Sequence, residues 1–326
     1  MNEAEATSLA IVALKQWPHV QRVPQLVRHR ENTVFRVQTT LGDHALRLHR
    51  HGYHSEQTIL SELHWMAMLA ERGFMVPTPA KKRDGEFLTK VGHSDGSMRV
   101  FSLLSWLPGE PFGKSALPLR FEGHHRLDVM AAIGKNLARL HLLSDRWQLP
   151  HGFVRPVWDR AGLVGDAPFW GCFWDSGFLA EAEREDLRKI REHCDTALCD
   201  YTDADYGLIH ADLARENILV EGAGVSFIDF DDSGFGFRMF DIATALIKNI
   251  YEPDYEDLKQ ALLAAYQAER PLRPHDLDHL PLMMLLRSLT YLGWVDARLE
   301  EPGMREKAKR FLADVKYLSD QDWFKS

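Results

Sequence analysis

The sequence predicts an α+β fold in two parts, a strand-rich first third followed by a helix-rich remainder. Between residues 25 and 104 apolar and polar residues alternate in several short runs, and a period of two is typical of half-buried strands. Beyond residue 105 the apolar residues recur at helical spacing instead. We therefore expect a small unit over residues 1–105 and a large, mostly helical unit over residues 106–326.

The small unit is predicted to hold an antiparallel five-stranded sheet with helices. Short turn-forming sequences such as Thr39-Thr-Leu-Gly-Asp43 separate the strand runs, and Gly73 closes the second helical pattern. In chain order we expect a helix over 4–16, strands over 25–28, 32–38 and 44–49, a helix over 55–72, and strands over 81–89 and 97–104.

The large unit is predicted to be helical, with one irregular insertion over residues 150–178 that is rich in Trp, Phe and Gly. Leu107-Pro-Gly-Glu110 interrupts the last apolar run of the small unit and is the candidate hinge. The helical patterns cover residues 127–143, 179–198, 240–250, 255–269 and 275–298.

The composition is that of an ordinary globular protein and excludes several classes of function. The chain has 326 residues and a formal charge of −8 without a basic patch, so a nucleic-acid partner is not expected. No uncharged apolar stretch reaches about 18 residues, so a membrane partner is not expected either. The 3 cysteines form neither a metal-ligand pattern nor a disulfide framework, and the acidic start lacks the features of a secretory signal. We expect a cytoplasmic protein.

One motif contains the candidate catalytic and metal-binding residues of the chain. His210-Ala-Asp212-Leu-Ala-Arg-Glu-Asn217 is followed by the apolar run 218–220, a turn at 221–224, a second apolar run and Asp229. A β-hairpin of this kind returns the chain beside the loop it left, which would bring Asp212, Asn217 and Asp229 together. Phosphoryl transfer needs such a set, with one carboxylate to accept a hydroxyl proton and an amide and a second carboxylate to bind Mg²⁺. Taken singly, each of these residues is also a common turn or cap residue.

The motif resembles that of the protein-kinase-like small-molecule phosphotransferases, a group that includes aminoglycoside phosphotransferases, choline and ethanolamine kinases and kinase-type homoserine kinases. The resemblance continues to Asp241-Ile-Ala and spans roughly residues 25–250. Protein kinases usually carry His-Arg-Asp and Asp-Phe-Gly, whereas this chain has His-Ala-Asp and Asp-Phe-Asp, which favours the small-molecule branch. The resemblance implies a two-lobe kinase-like fold. In the resembling families His210 and Asp241 would brace the catalytic loop.

The resemblance also implies an enzyme that transfers the γ-phosphoryl group of ATP, with Mg²⁺, to a hydroxyl of a small amine-bearing molecule. Arg47 stands where the family more often has Lys, and Ala45 on the same strand face would sit over the adenine ring. Glu62 is the expected partner of Arg47, with Glu56 as the alternative. Asn32 replaces a glycine-rich phosphate-covering turn and is either a phosphate contact or a plain turn residue.

Adenine recognition is implied to come from the main chain of the segment before the candidate hinge. By the same resemblance the C=O of Ser105 and the N–H of Leu107 would read the adenine edge. The alternative is that a strand simply ends at Pro108-Gly109.

The residues that bind the phosphoryl acceptor are less well marked. Asp231 would attract an ammonium group of the acceptor, or would only tune the metal or cap a turn. Arg287, Tyr291 and Trp294 fall near one face of a predicted helix, where the aromatic rings form either a wall around an amine or part of the core.

Two other functions fit the same motif. A bacterial protein Ser/Thr kinase of the small-kinase type would phosphorylate itself or a partner protein instead of a small alcohol. A nucleotide-binding pseudokinase is suggested by Arg47 and the missing glycines, although all three residues of the catalytic set are present.

Overall fold

The computed structural model describes residues 1–29, 32–115, 117–119, 121, 123–321 and 324. The chain forms two compact units. The first comprises Met1–Glu110 with two later segments, Gln148–Arg155 and Ser226–Asp231, and the second comprises Pro111–Trp147, Pro156–Val225 and Asp232–Ser326.

The strands and helices follow one another along the chain much as the periodicity predicts. The strands are β1 (Gln25–His29), β2 (Thr33–Thr39), β3 (Gly42–Leu48), β4 (Leu88–Gly92), β5 (Met98–Ser105), β6 (Glu110–Pro111), β7 (Val157–Trp158), β8 (Tyr206–Ile209), β9 (Ile218–Glu221), β10 (Gly224–Phe227) and β11 (Gly234–Phe237). The helices are α1 (Glu3–Leu14), α2 (Glu56–Glu71), α3 (His124–Asp145), α4 (Arg160–Val164), α5 (Glu181–Asp200), α6 (Arg238–Ile247), α7 (Tyr255–Glu269), α8 (Pro274–Asp278), α9 (Leu280–Asp296) and α10 (Met304–Ser319).

The first unit is built on a five-stranded antiparallel sheet of order β1-β2-β3-β5-β4. Side chains on successive residues of a strand point to opposite faces, and β3 follows this rule: Leu46 and Leu48 are buried in the core with Phe35 and Phe101. Arg47 lies opposite Val34 on β2 and Ser102 on β5. The α+β fold class and the five-stranded antiparallel sheet are confirmed.

Helix α2 packs its apolar face inward and begins at a proper N-cap. The Ser55 hydroxyl accepts a hydrogen bond from the N–H of Thr58 at 3.1 Å, which satisfies one of the free N–H groups of the first turn. The buried face includes Ile59, Leu63 and Leu69 together with one charged residue, Glu62, which is 0% exposed. A carboxylate at that depth requires a cationic partner.

The second unit is mostly helical and is centred on α9. This helix is buried along nearly its whole length, which is the pattern of a helix surrounded by other elements. Gly293 of α9 makes room for the segment around Trp170, because a Cβ there would lie 2.8 Å from the Trp170 carbonyl oxygen and 2.7 Å from that of Gly171. The glycine therefore places Trp170 against α9.

Two predicted elements differ from the structure, and one helix was not predicted. Strand β4 begins at Leu88 and not at residue 81, because Asp84 and Gly85 form a turn in which Gly85 has φ of +91°. The helix expected over 275–298 is divided at His279, since Pro281 lacks an N–H group and cannot continue a helix from α8. Helix α10 was not predicted, although its buried residues recur every three or four positions.

Among the described residues, no helix is both long and apolar enough to cross a membrane.

Candidate active site

The loop between β8 and β9 presents Asp212 with its carboxylate held on both oxygens. Asn217 donates through Nδ2 to the main-chain oxygen of Asp212 at 2.8 Å and to its Oδ2 at 3.1 Å. Arg287 of α9 donates through Nη2 to Oδ1 of the same carboxylate. The Asp212 side chain is 23% exposed, so it remains accessible while its orientation is fixed.

The main chain of this loop is braced from below by a buried carboxylate. Asp241 of α6 accepts hydrogen bonds from the N–H groups of His210 at 2.7 Å and Ala211 at 2.6 Å. Ala211 has φ of +65°, a left-handed conformation that is unfavourable for a residue with a Cβ and is stabilised here by the Asp241 contact. Burial raises the pKa of Asp241 to about 6 although both N–H donors act in the opposite direction. This agrees with the bracing role implied for Asp241.

His210 also has a local supporting contact. The N–H of Asp212 donates to Nδ1 of His210 at 3.3 Å, and His210 is 0% exposed. A second histidine, His141 of α3, contacts Asp241 Oδ2 through Nε2 at 3.1 Å and the Tyr266 hydroxyl through Nδ1 at 2.7 Å. Burial lowers the pKa of His141 well below its usual range, so it stays neutral and acts through hydrogen bonds only.

The guanidinium of Arg287 is stacked among aromatic rings. Its Cζ atom lies 4.6 Å from the Trp170 ring centroid and 4.2 Å from that of Tyr291. Burial acts to lower the pKa of Arg287, but Tyr291 and Asp212 more than offset it and the pKa is raised, so the side chain remains charged. Arg287 is thus a fixed cation beside Asp212.

A second cation lies in the same region. Lys248, which follows α6, is partly buried and has its Nζ 3.7 Å from the Tyr291 ring centroid and 4.4 Å from that of Phe311. Burial lowers the pKa of Lys248 to about 7, with Arg287 acting in the same direction and Asp314 opposing it. Arg287 and Tyr291, predicted together as acceptor residues, are therefore brought together, but they are joined by a lysine that the sequence did not indicate.

Trp294 is placed elsewhere on α9. It packs with Val295, Met304 and Ala308 in a small apolar cluster, and its ring lies 4.3 Å from the guanidinium carbon of Arg298. The structure does not group Trp294 with Arg287 and Tyr291, because a residue seven positions after Arg287 lies almost two turns, about 10 Å, farther along the helix axis.

In the first unit, Arg47 and Glu62 form a buried ion pair. Arg47 Nη2 lies 2.5 Å from Glu62 Oε1, and the two residues are 5% and 0% exposed. Burial acts to lower the pKa of Arg47, but the charges of Glu62 and Asp231 outweigh it and the pKa is raised. The alternative partner Glu56 instead pairs with Lys90 at the surface, at 3.1 Å. Of the two expected carboxylates, Glu62 is the one that contacts Arg47.

Asp231 belongs to the same cluster in the first unit. Its Oδ2 accepts a hydrogen bond from Asn32 Nδ2 at 3.1 Å, and its Oδ1 lies 4.0 Å from Arg47 Nη1. The Asn32 Oδ1 accepts from the N–H of Arg50 at 2.9 Å. Asp231, predicted as an acceptor contact, is placed with the residues that were predicted to bind nucleotide.

Arg155 holds this cluster together and was missed by sequence reasoning. It donates to the carbonyl oxygens of Thr58 at 3.0 Å, Phe230 at 3.1 Å and Asp231 at 2.6 Å. Its Nη1 also lies 3.9 Å from Glu62 Oε2. Arg155 lies in the region 150–178, which the sequence marked only as irregular, and no local signal identifies it.

The proposed adenine-reading residues lie at the end of β5. Ser105 pairs with His44 and Leu104 with Ala45, which puts Ala45 on the strand next to this edge. The Ser105 N–H donates to Thr78 O at 2.8 Å. In the described part of the chain the N–H of Leu107 donates to no protein acceptor, as an adenine contact requires.

The two predicted metal ligands belong to different compact units, Asn217 to the second and Asp229 to the first. Because Asn217 commits Nδ2 to Asp212, its Oδ1 is left as a ligand atom, and no donor among the described residues bonds to it. Asp229 has φ of +66°, an unusual conformation for a residue other than glycine. An amide oxygen and a carboxylate are suitable ligands for Mg²⁺, so the donor set fits the metal. Their joint role stays a prediction.

Comparison with known proteins places the chain in a family. The model of the phosphotransferase enzyme family matches residues 23–275. A homoserine kinase of Methylobacterium nodulans is 31% identical over 310 residues, covering 89% of this chain and 87% of that protein. The solved structure of a microcompartment-associated aminopropanol kinase has a TM-score of 0.82 and 30% identity, covering 96% of this chain and 97% of that one.

An amicoumacin kinase solved with AMP-PNP and Ca²⁺ shares the fold at a TM-score of 0.78, with 18% identity and coverage of 100% of this chain and 97% of that one. The match to the family model covers most of the chain and includes the Asp212 loop and the Arg47–Glu62 pair. The chain belongs to the phosphotransferase enzyme family and is a small-molecule kinase.

Proposed function

We propose that the protein is an ATP- and Mg²⁺-dependent kinase that transfers the γ-phosphoryl group to a hydroxyl of a small, amine-bearing molecule. The observation that carries the proposal is the Asp212 carboxylate, which Asn217 and Arg287 hold in one orientation while part of it stays exposed. A positioned carboxylate of this kind orients an attacking hydroxyl and accepts its proton.

The role of Asp212 follows from its hydrogen bonds. Each carboxylate oxygen accepts one bond from a neighbour, Oδ1 from Arg287 and Oδ2 from Asn217. The Asp212 side chain is 23% exposed, so an incoming hydroxyl can reach the carboxylate. The fixed orientation lowers the entropic cost of reaching the attacking geometry.

Magnesium would be held by Asn217 Oδ1 and the Asp229 carboxylate, together with phosphate oxygens of the nucleotide. When bound, it would supply charge neutralisation to the triphosphate. We propose that Arg47, kept in place by Glu62 and Asp231, pairs with the phosphates, as the usual lysine does in kinase-like enzymes. Its planar guanidinium can bind phosphate oxygens in pairs.

The acceptor class is supported by two relatives that share about a third of their residues with this chain. One is named a homoserine kinase and the other an aminopropanol kinase. Homoserine and aminopropanol both carry a hydroxyl and an amine on a chain of few carbons. We propose an acceptor of that size and kind.

The proposal is tested by measuring ADP release with a panel of hydroxylated amino acids and amino alcohols. The wild type is expected to turn over at least one of them in the presence of Mg²⁺. Asp212→Asn should lower kcat by about 10²- to 10⁴-fold, the usual loss for removal of a general base, while nucleotide affinity changes little. Asp186→Asn, the same change on the exposed face of α5, is the matched control and should keep full activity.

The other functions predict different results in the same experiment. A protein kinase would incorporate phosphate into protein without any acceptor from the panel. A pseudokinase would bind ATP and release no ADP above the background of Asp212→Asn. Wild-type turnover by Asp212→Asn would contradict the proposed role of that residue.

A further inference from the structure

The aromatic rings near Asp212 are already in contact with cations of the chain. Tyr291 has the Arg287 Cζ at 4.2 Å and the Lys248 Nζ at 3.7 Å from its ring centroid. Trp170 has Arg287 at 4.6 Å, and Phe311 has Lys248 at 4.4 Å. A wall that binds a quaternary or protonated amine needs free ring faces and no competing positive charge. The ring faces that would bind an amine of the acceptor are thus occupied by Arg287 and Lys248 of the protein itself.

Lys248 has no carboxylate within ion-pair distance in the described part of the chain. The charges that act on it from neighbouring elements are Asp314 on α10, Arg287 on α9, and Glu216 and Asp212 on the catalytic loop. Asp314 is engaged by the Tyr251 hydroxyl at 2.9 Å. Lys248 is thus a half-buried amine that is stacked on the rings of Tyr291 and Phe311 and has no carboxylate partner among the described residues.

Arg287 also has donors to spare. Its Nη2 binds Asp212, but its buried Nε and Nη1 have no hydrogen-bond partner among the described residues. The Tyr291 hydroxyl lies close enough to Arg287 to favour the charged form of the guanidinium. The buried donors of a charged group usually have hydrogen-bond acceptors. Two such donors without an acceptor in a candidate site indicate that a bound ligand supplies the acceptor atom.

We infer that the phosphoryl acceptor carries a carboxylate beside its hydroxyl, and that Lys248, with Arg287 behind it, recognises this group. This inference rests on the proposed function. Arg287 contacts Asp212, the residue that would accept the hydroxyl proton, and Lys248 shares the Tyr291 ring with Arg287, so both positive charges can serve one oxyanion. One small molecule can then bind Asp212 through its hydroxyl and Lys248 through its carboxylate. Lys248 is the specificity-determining residue for an amino acid over an amino alcohol.

Two positive charges could also bind the phosphoryl group during its transfer. The experiment therefore distinguishes a carboxylate of the acceptor from the transferred phosphoryl group as the anion that Lys248 binds. Matched acceptor pairs that differ only by a carboxylate are L-homoserine with 3-aminopropan-1-ol, and L-threonine with 1-aminopropan-2-ol. For the pair that is turned over, kcat/KM should favour the amino acid by about 10- to 100-fold, as expected for charge-assisted hydrogen bonds. The measurement is ADP release at saturating ATP and Mg²⁺.

The readout that identifies Lys248 is the ratio of kcat/KM between the two members of a pair. Lys248→Met retains an unbranched side chain that can pack on Tyr291 and Phe311, and it should reduce the ratio by about 10-fold, mainly through KM of the amino acid. Lys248→Arg should restore most of the ratio. Lys135→Met, at a side chain that is 58% exposed, is the control and should leave the ratio unchanged.

Three outcomes overturn the inference. Equal or better turnover of the amino alcohols would overturn it while the proposed function stands. An equal loss for both members of a pair in Lys248→Met would assign the lysine to the transferred phosphoryl group. If the enzyme binds ATP but phosphorylates neither member of either pair, both the inference and the proposed acceptor class are overturned.

Discussion

The buried pair of Arg47 and Glu62 allows a quantitative prediction. Glu62→Gln would leave Arg47 charged at a position that is 5% exposed. Removal of one partner from a buried ion pair typically costs about 3–5 kcal/mol of folding free energy. Asp231, 4.0 Å from Arg47, still attracts it with about 4 kcal/mol at an effective dielectric constant of 20, so the loss should lie near 3 kcal/mol.

The assay is urea unfolding followed by tryptophan fluorescence, combined with titration of a fluorescent ATP analogue. Glu62→Gln should lower the unfolding free energy by about 3 kcal/mol and weaken nucleotide binding by about 10-fold or more, because Arg47 is no longer held. Glu56→Gln on the same helix removes a pair whose side chains are 47% and 51% exposed, so it should change the stability by less than about 0.5 kcal/mol. If the two variants behave alike, the reasoning about Arg47 is refuted.

Three further predictions follow from the same contacts. Arg155→Lys retains the charge but cannot reach three carbonyl oxygens, so we expect the unfolding free energy measured in urea to fall by about 2–4 kcal/mol. A decrease below about 1 kcal/mol would show that these three hydrogen bonds do not hold the cluster together. Asp241→Asn leaves one of the N–H groups of His210 and Ala211 unpaired and should reduce kcat by at least about 10-fold with little change in nucleotide affinity; unchanged kcat would contradict the brace. Burial lowers the pKa of Lys248 to about 7, so its positive charge is present below pH 7 and lost above it. KM for an amino-acid acceptor should therefore rise as the pH passes 7 in the wild type and stay constant in Lys248→Met. Equal pH dependence of KM in both proteins would exclude Lys248 as the residue that binds the acceptor carboxylate.

Patterns of neighbouring residues in the sequence predicted most strands and helices, and the site contacts that lie within one loop. The alternation around Leu46 and Leu48 predicts β3 because these two side chains enter the apolar core of the first unit while Arg47 between them points to the opposite face. The Asp212–Asn217 contact lies within six consecutive residues, so loop geometry alone brings the two side chains together. The sequence also favoured Glu62 over Glu56 as the partner of Arg47, and Glu62 is the residue that contacts Arg47.

The remaining site residues join through tertiary packing that leaves no local signal. Arg287 is 75 positions from Asp212, and only the path of α9 brings it to the catalytic loop. Lys248 follows an apolar helix and would ordinarily be assigned to its solvent-facing end. Arg155 lies in an irregular segment where neither period nor motif marks it. Residues that act through long-range contacts can be found only once the elements are packed.

The proposed phosphoryl transfer is tested most directly by identifying its product. The purified protein would be incubated with ATP, Mg²⁺ and L-homoserine or L-threonine, and the mixture examined by ³¹P NMR and mass spectrometry. We expect a phosphomonoester on the acceptor hydroxyl, formed by the wild type and not by Asp212→Asn. Phosphate found on the protein chain, or an acceptor left unmodified while ATP is consumed equally by both proteins, would contradict the account.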